Sequence, residues 1–178
     1  EKAETRTLLL KIHDELAHHW HRLLLKDPQG EKGRAYLKER GVSEEAVKKF
    51  QLGYAPLTWD GTLRWSRSRK HDPKLLEQAG LVIRKEEGND YYDRFRGRLM
   101  FPINDVQGRP IGFSGRIIEG DASKGAKYVN SPETLLFKKG QVIYGLDKAK
   151  RAILDAKSAV SCEGQLDLIA CHTAGIEN

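Results

Sequence analysis

Two carboxylates near the C-terminal end, Glu163 and Asp167, have the type and spacing of groups that hold a cation. They follow the small and apolar run Ala159-Val160-Ser161-Cys162. That run predicts a buried strand, Glu163-Gly164 a tight turn, and Gln165 the start of a helix carrying Leu166, Leu168, Ile169 and Ala170. A carboxylate at the carboxyl end of a strand in an open α/β sheet lies where ligands bind. Its oxygens suit a hard cation such as Mg²⁺. A second set of residues carries positive charge. Arg94, Arg96 and Arg98 alternate along the chain, and on a strand all three would project from one face. Guanidinium groups so placed call for phosphate, or for pairing with Asp93 and its neighbours. Lys127, Tyr128 and Asn130 bring a charge, a ring and an amide within four residues. Charge for the backbone, a face for stacking and an amide for hydrogen bonds are the equipment for gripping single-stranded nucleic acid.

Helical elements come first in the chain. Leu9, Ile12, Leu16, Trp20 and Leu23 recur at steps of three and four, which predicts an amphipathic helix from Thr5 to Lys26. Asp27-Pro28 and Gly30 end it. His18 and His21 are three residues apart on it, but no further ligand is in view, so its histidines read as solvated. Glu31 to Arg40 predicts a second helix closed by Gly41. Ser43, followed by Glu44 and Glu45, reads as the N-cap of a third. Gln51 to Pro56 reads as a strand, and short helices are expected near 63–69 and 73–79.

From Leu81 the pattern turns to β. Leu81 to Ile83 is apolar, and Tyr91 to Ile103 reads as one or two strands, with Pro102 marking an edge or a bend. Asn104 to Gly108 is a hairpin loop and Arg109 to Ile118 the returning strand. Gly112 and Gly115 would weaken that strand unless something approaches its backbone closely. Glu119 to Gly125 reads as a flexible polar loop, Val142-Ile143 as a small strand, and Leu146 to Ala156 as a helix. The fold class is therefore α/β with α+β character: a helical N-terminal part, a mixed and mainly antiparallel sheet, then one more strand and helix.

Composition narrows the function classes. With 39% hydrophobic and 31% charged residues among 178, the chain reads as a soluble globular protein. No apolar run approaches the ~18 residues of a membrane span, and Glu1 to Arg6 is too polar for a secretory signal. A first residue of Glu rather than Met is expected of a piece of a longer protein. Cys162 and Cys171 are expected to be reduced core thiols of a cytosolic protein, and without a Cys-x-x-Cys pair no zinc ribbon or finger is visible. Residues 64–140 hold 16 Lys/Arg against 10 Asp/Glu, so the whole excess of +6 falls there. A basic zone interleaved with aromatics points to nucleic acid; a mildly basic surface is the plainer alternative.

The order of the pieces is more specific than any one of them. Tyr-Asp-Arg-Phe-Arg-Gly-Arg-Leu-Met-Phe-Pro-Ile (92–103) precedes Gly-Arg-Pro-Ile-Gly-Phe-Ser-Gly-Arg (108–116). Lys-Tyr-Val-Asn-Ser-Pro-Glu-Thr (127–134), Phe-Lys-Lys-Gly (137–140), Tyr-Gly-Leu (144–146) and Glu-Gly-Gln-Leu-Asp (163–167) follow. This series resembles the catalytic core of bacterial DNA primase, the DnaG family. Tyr36-Leu37, Arg40-Gly41-Val42-Ser43 and Gly53-Tyr54-Ala55-Pro56 fit the same pattern.

The resemblance implies synthesis of short RNA primers on single-stranded DNA during replication, in the bacterial cytoplasm and with no membrane partner. It implies a basic subdomain over 1–157 and the start of a TOPRIM fold over 158–178. Glu163 would be the conserved acid, binding metal or assisting the primer 3′-hydroxyl, and Asp167 the second acid, with Mg²⁺ or Mn²⁺ as the cofactor. Arg116, Lys127, Tyr128, Asn130 and Lys139 match a basic groove for template and nucleotide, and Arg94, Arg96 and Arg98 fall in its neighbourhood. The partners implied are a single-stranded DNA template, ribonucleoside triphosphates, the RNA primer–DNA hybrid and, through a region absent here, a replicative helicase.

Three departures qualify the match. Gln165-Leu166 stands where Tyr-Met is usual, the family's upstream zinc module is absent, and so are the downstream Asp-x-Asp acids. Two-metal phosphoryl transfer needs several carboxylates around the cations, so this chain alone is expected to bind nucleic acid without making primers. The alternatives are a non-catalytic single-stranded-DNA-binding module, the primase part of a primase-helicase, and another TOPRIM enzyme such as a topoisomerase or nuclease.

Overall fold

A computed structural model describes residues 2–120 and 125–178. Most of the predicted polar loop, residues 121–124, lies outside the described residues.

Helix α1 (Lys2–Lys26) buries Leu9, Ile12, Leu16 and Trp20 of the expected stripe, but buries Leu24 fully and Leu23 only in part. Asp27 caps a 3-10 turn (Pro28–Gly30) that leads directly into α2 (Glu31–Glu39). Arg34 on α2 donates to the carbonyls of Leu24 and Asp27 at the end of α1, at 2.6 and 2.9 Å. That cation satisfies carbonyls which a helix end leaves open and fixes α2 against α1. Gly41 adopts the left-handed conformation (φ 68°), and the Ser43 hydroxyl accepts from the Ala46 N–H to start α3 (Glu44–Lys49).

Strand β1 (Gly53–Ala55) crosses close under α1, because a Cβ on Gly53 would lie 2.8 Å from Trp20 Cβ. Helices α4 (Gly61–Ser68) and α5 (Pro73–Gln78) precede a separate hairpin, β2 (Val82–Arg84) with β3 (Tyr91–Asp93). The main sheet is antiparallel throughout, in the order β1-β4-β5-β6, with β4 Arg98–Asn104, β5 Pro110–Ile117 and β6 Tyr128–Asn130. Met100 packs on one side of it and Leu99 and Phe101 on the other, so both faces are covered. Trp20 meets Phe113 edge to face at 4.8 Å. Helices α6 (Leu146–Ala156) and α7 (Gln165–Thr173) complete the chain.

Several expectations need correction. Pro102 lies in an interior strand rather than at an edge. Phe113, its partner, turns its own N–H and C=O to Ser131. The missing N–H of Pro102 therefore faces the β1 side, where pairing has already ended at Met100. The residue loses no ladder bond there, as proline requires. Ala159–Cys162 forms no strand. Its residues are exposed or half-buried, and Val160 makes one backbone bond, to the Asn178 carbonyl at 3.0 Å. A strand needs a neighbour to satisfy its backbone groups, and the described residues supply none there. Val142-Ile143 likewise follows a 3-10 turn (Lys139–Gln141) as irregular chain.

Cys162 and Cys171 are half-buried rather than core, with sulfurs 3.7 Å apart. The histidines of α1 are not uniformly solvated. His18 is exposed, but His13 is fully buried and His21 bonds the Leu52 carbonyl at 2.6 Å. The close approach expected at Gly115 is present, since a Cβ there would meet Arg98, Met100 and Phe95 at 3.0–3.1 Å.

Candidate nucleic-acid interface

Arg116, Lys127, Tyr128 and Asn130 collect at one end of the main sheet, and Glu163 and Asp167 at the start of α7. Strand β5 sets Arg116 opposite Tyr128 and Ser114 opposite Asn130. Arg116 lies in an aromatic setting: its guanidinium carbon is 4.9 Å from the Tyr36 ring and 5.4 Å from the Tyr128 ring, and Nη1 donates to Tyr128 Oη at 3.4 Å. Among the described residues no carboxylate pairs with Arg116. Lys127 and Asn130 are exposed beside it and Tyr128 is half-buried. Lys139 stands apart on the turn after β6. Its N–H donates to Glu133 Oε1 at 2.8 Å and its side chain is exposed.

Glu163 and Asp167 are exposed at the start of α7. The helix is held to the sheet through Gln165, whose amide donates to Ser114 Oγ at 3.0 Å. Ser114 is also the register partner of Asn130. One serine thus joins the carboxylate turn to the basic edge. Sequence reading passed over Gln165, treating it only as a change from the usual residue. Its partner lies 51 positions away, beyond the reach of spacing arguments. As a metal site the two carboxylates are insufficient: the described residues contain no group of three His, Cys, Asp or Glu able to hold an ion.

Arg94, Arg96 and Arg98 do not share one strand face. Only Arg98 is in a strand; Arg94 and Arg96 lie in the bend between β3 and β4. All three nevertheless border one open groove, with Leu57, Thr58, Trp59 and Glu119. Their environments differ. Arg98 is buried and donates to the carbonyls of Gly115, Ala126 and Lys127 at 3.0, 3.1 and 3.4 Å. Burial, then the nearby Arg96, pushes its pKa below the ordinary guanidinium value. It is therefore a bracket within the fold. Arg96 lies 4.0 Å over the exposed Trp59 ring and donates to the Asp93 carbonyl.

The Asp93 carboxylate pairs with none of the three arginines. It caps α4, accepting from the N–H groups of Thr62 and Leu63 at 2.7 and 3.2 Å, and burial raises its pKa despite those bonds. Glu119 is engaged by Tyr54 at 2.8 Å and Lys32 at 3.4 Å. Arg94 Nε is buried without a partner among the described residues. Arg94 and Arg96 therefore line the groove without a carboxylate of their own among the described residues. Trp59, with its large exposed ring, is a groove residue that sequence reading missed; its place in an irregular segment gave no periodic signal.

Similarity to known proteins bears on the family of the chain. The family described as DNA primase catalytic core, N-terminal domain, matches residues 20–150. A DNA primase of Synechococcus elongatus is 47% identical over 156 residues, covering 86% of this chain and 22% of that protein. A DNA primase of Deinococcus radiodurans is 48% identical over 140 residues, covering 79% and 24%. The chain thus spans about a quarter of the length of these relatives. The RNA polymerase domain of Mycobacterium tuberculosis primase DnaG superposes with a TM-score of 0.89 at 38% identity, covering 97% of this chain and 55% of that one. A DnaG primase catalytic domain bound to single-stranded DNA gives 0.88 at 36%, covering 98% and 53%. No helix of the described residues is long and apolar enough to cross a membrane. The chain belongs to the DNA primase catalytic core family, and its residues 20–150 correspond to the N-terminal domain of that core.

Proposed function

We propose that this chain is the template-gripping part of a DNA primase, an enzyme that copies single-stranded DNA into short RNA primers. The observation that carries the proposal is the junction at Ser114. It sets the exposed carboxylates Glu163 and Asp167 beside an edge bearing Arg116, Lys127, Tyr128 and Asn130. Residues 1–157 form the basic subdomain and 158–178 open the TOPRIM subdomain. Arg116 and Lys127 hold phosphates, Tyr128 offers a stacking face, and the groove of Arg94, Arg96 and Trp59 continues the track for a single strand. Support for a DNA ligand comes from the similar primase domain whose structure holds single-stranded DNA.

Glu163 and Asp167 would contribute two ligands toward Mg²⁺ or Mn²⁺, which when bound neutralises triphosphate charge. Two exposed carboxylates do not make that site complete, and no step of the reaction is assigned to them alone. The purified 178-residue chain is expected to bind a fluorescent single-stranded DNA and to make no primers from ribonucleoside triphosphates. Lys127→Ala should weaken binding and lower the slope of log K against log salt by about 0.7, one phosphate on a single strand. An unchanged slope removes the phosphate contact from Lys127. Binding that ignores salt altogether sinks the proposed interface, and detectable primers overturn the incomplete-site reading.

A further inference from the structure

Tyr36 lies on α2, far in sequence from the sheet edge, yet two guanidinium groups converge on its ring. Arg116 approaches to 4.9 Å from β5 and Arg40, the residue that caps the end of α2, to 5.2 Å. Neither arginine has a carboxylate partner among the described residues. Arg116 Nε and the Tyr36 hydroxyl are both buried, with no hydrogen-bond partner among the described residues. Apart from the long bond to Tyr128, then, no acceptor among the described residues orients the Arg116 guanidinium; aromatic faces do. Arginine planes stack on such faces at this distance. The ring itself is firmly mounted. Leu37 beside it is buried, Gly33 packs against Leu24 and Tyr54, and Arg34 ties α2 to the end of α1.

We infer that Tyr36 is a positioning residue: its ring holds the Arg116 guanidinium, against the Tyr128 ring, in the pose in which it meets a phosphate of the nucleic acid. A flexible arginine must give up rotamer freedom when it binds phosphate, and a side chain already ordered gives up less. The ring supplies that order without a carboxylate, which would neutralise the charge the phosphate needs. The inference rests on the reading of Arg116 as a phosphate contact, and the two fail in different ways.

The test is a double-mutant cycle on the 178-residue chain, with single-stranded DNA affinity read across a salt series. Arg116→Ala is expected to lose roughly tenfold in affinity and about one phosphate of salt slope. Tyr36→Leu should reproduce most of both losses. The double variant should bind no worse than Arg116→Ala, because Tyr36 acts through Arg116. Tyr36→Phe keeps the ring and should stay within about twofold of the parent. If Tyr36→Leu melts early, Tyr36→Met fills the same apolar space without a π face and carries the comparison.

Losses that multiply in the double variant overturn the inference, and so does a Tyr36→Leu chain that binds like the parent while Arg116→Ala does not. Tyr36→Phe falling as far as Tyr36→Leu assigns the effect to the hydroxyl and overturns it too. Unchanged affinity and slope in Arg116→Ala instead sink the phosphate reading beneath it.

Discussion

Arg94 and Arg98 are four positions apart and would be scored alike by charge, but they face different fates on substitution. Arg98 is buried against three carbonyls. Arg98→Ala should cost about 2–3 kcal/mol in a urea melt, because buried acceptors lose a charged donor. Arg94 ends in an open groove, so Arg94→Ala should leave the urea midpoint nearly unchanged and lower the salt slope of DNA binding instead. The reverse pattern would exchange their roles. The distinction was hidden in the sequence because the acceptors at Ala126 and Lys127 lie about thirty positions away. Tyr128 combines both kinds of role. It packs partly against the cluster of Leu99 and Phe101, so Tyr128→Ala should lower stability as well as costing ~1–3 kcal/mol of affinity if a base stacks on it. A normal affinity with lowered stability would make the ring a core residue only.

At the scale of elements, the joint between α6 and α7 is the most exacting. Gly145 opens α6 in the left-handed conformation (φ 80°), and a Cβ there would lie 2.9 Å from Leu168 on α7. Gly145→Ala should therefore lower stability by about 1–2 kcal/mol, visible as a lower urea midpoint; an unchanged midpoint would show that the turn relaxes freely. Helices were legible in the sequence because their signals are local: the stripe of Leu9, Ile12, Leu16 and Trp20, the Ser43 cap and the glycine at 41. Strands were less so. Ala159–Cys162 has the composition of a strand, but composition cannot supply the neighbour that a ladder needs. Pro102 looked like an edge signal, yet the end of β1 at Met100 supplies the gap that proline requires. The candidate residues Arg116, Lys127, Tyr128 and Asn130 were singled out through the order of motifs, whereas the Gln165–Ser114 and Tyr36–Arg116 contacts depend on tertiary structure alone.

At the scale of the whole molecule, one buried histidine makes stability depend on pH. His13 is fully buried, stacked on Phe113 at 5.7 Å, with Nδ1 on the Leu9 carbonyl at 2.8 Å. Burial lowers its pKa from 6.5 to about 4. Between those values the unfolded chain binds more protons than the folded one. Stability should then be level with respect to this group above pH 6.5 and fall by about 3 kcal/mol as pH drops to 4. His19, lowered to about 4 by burial and then by Arg22 and Arg69, acts in the same direction. Urea melts across pH would measure this, and a His13→Leu profile as steep as the parent's would locate the sensitivity elsewhere. The sheet has one further property that follows from β6. That strand is only Tyr128–Asn130, lies at the end of the sheet, and is bounded by Lys127 and Pro132. A three-residue strand, with a charge before it and a proline two positions after it, is too short and too well guarded to recruit a strand from another copy. The edge can thus lie open to a nucleic acid while resisting the protein-to-protein pairing that leads to aggregates.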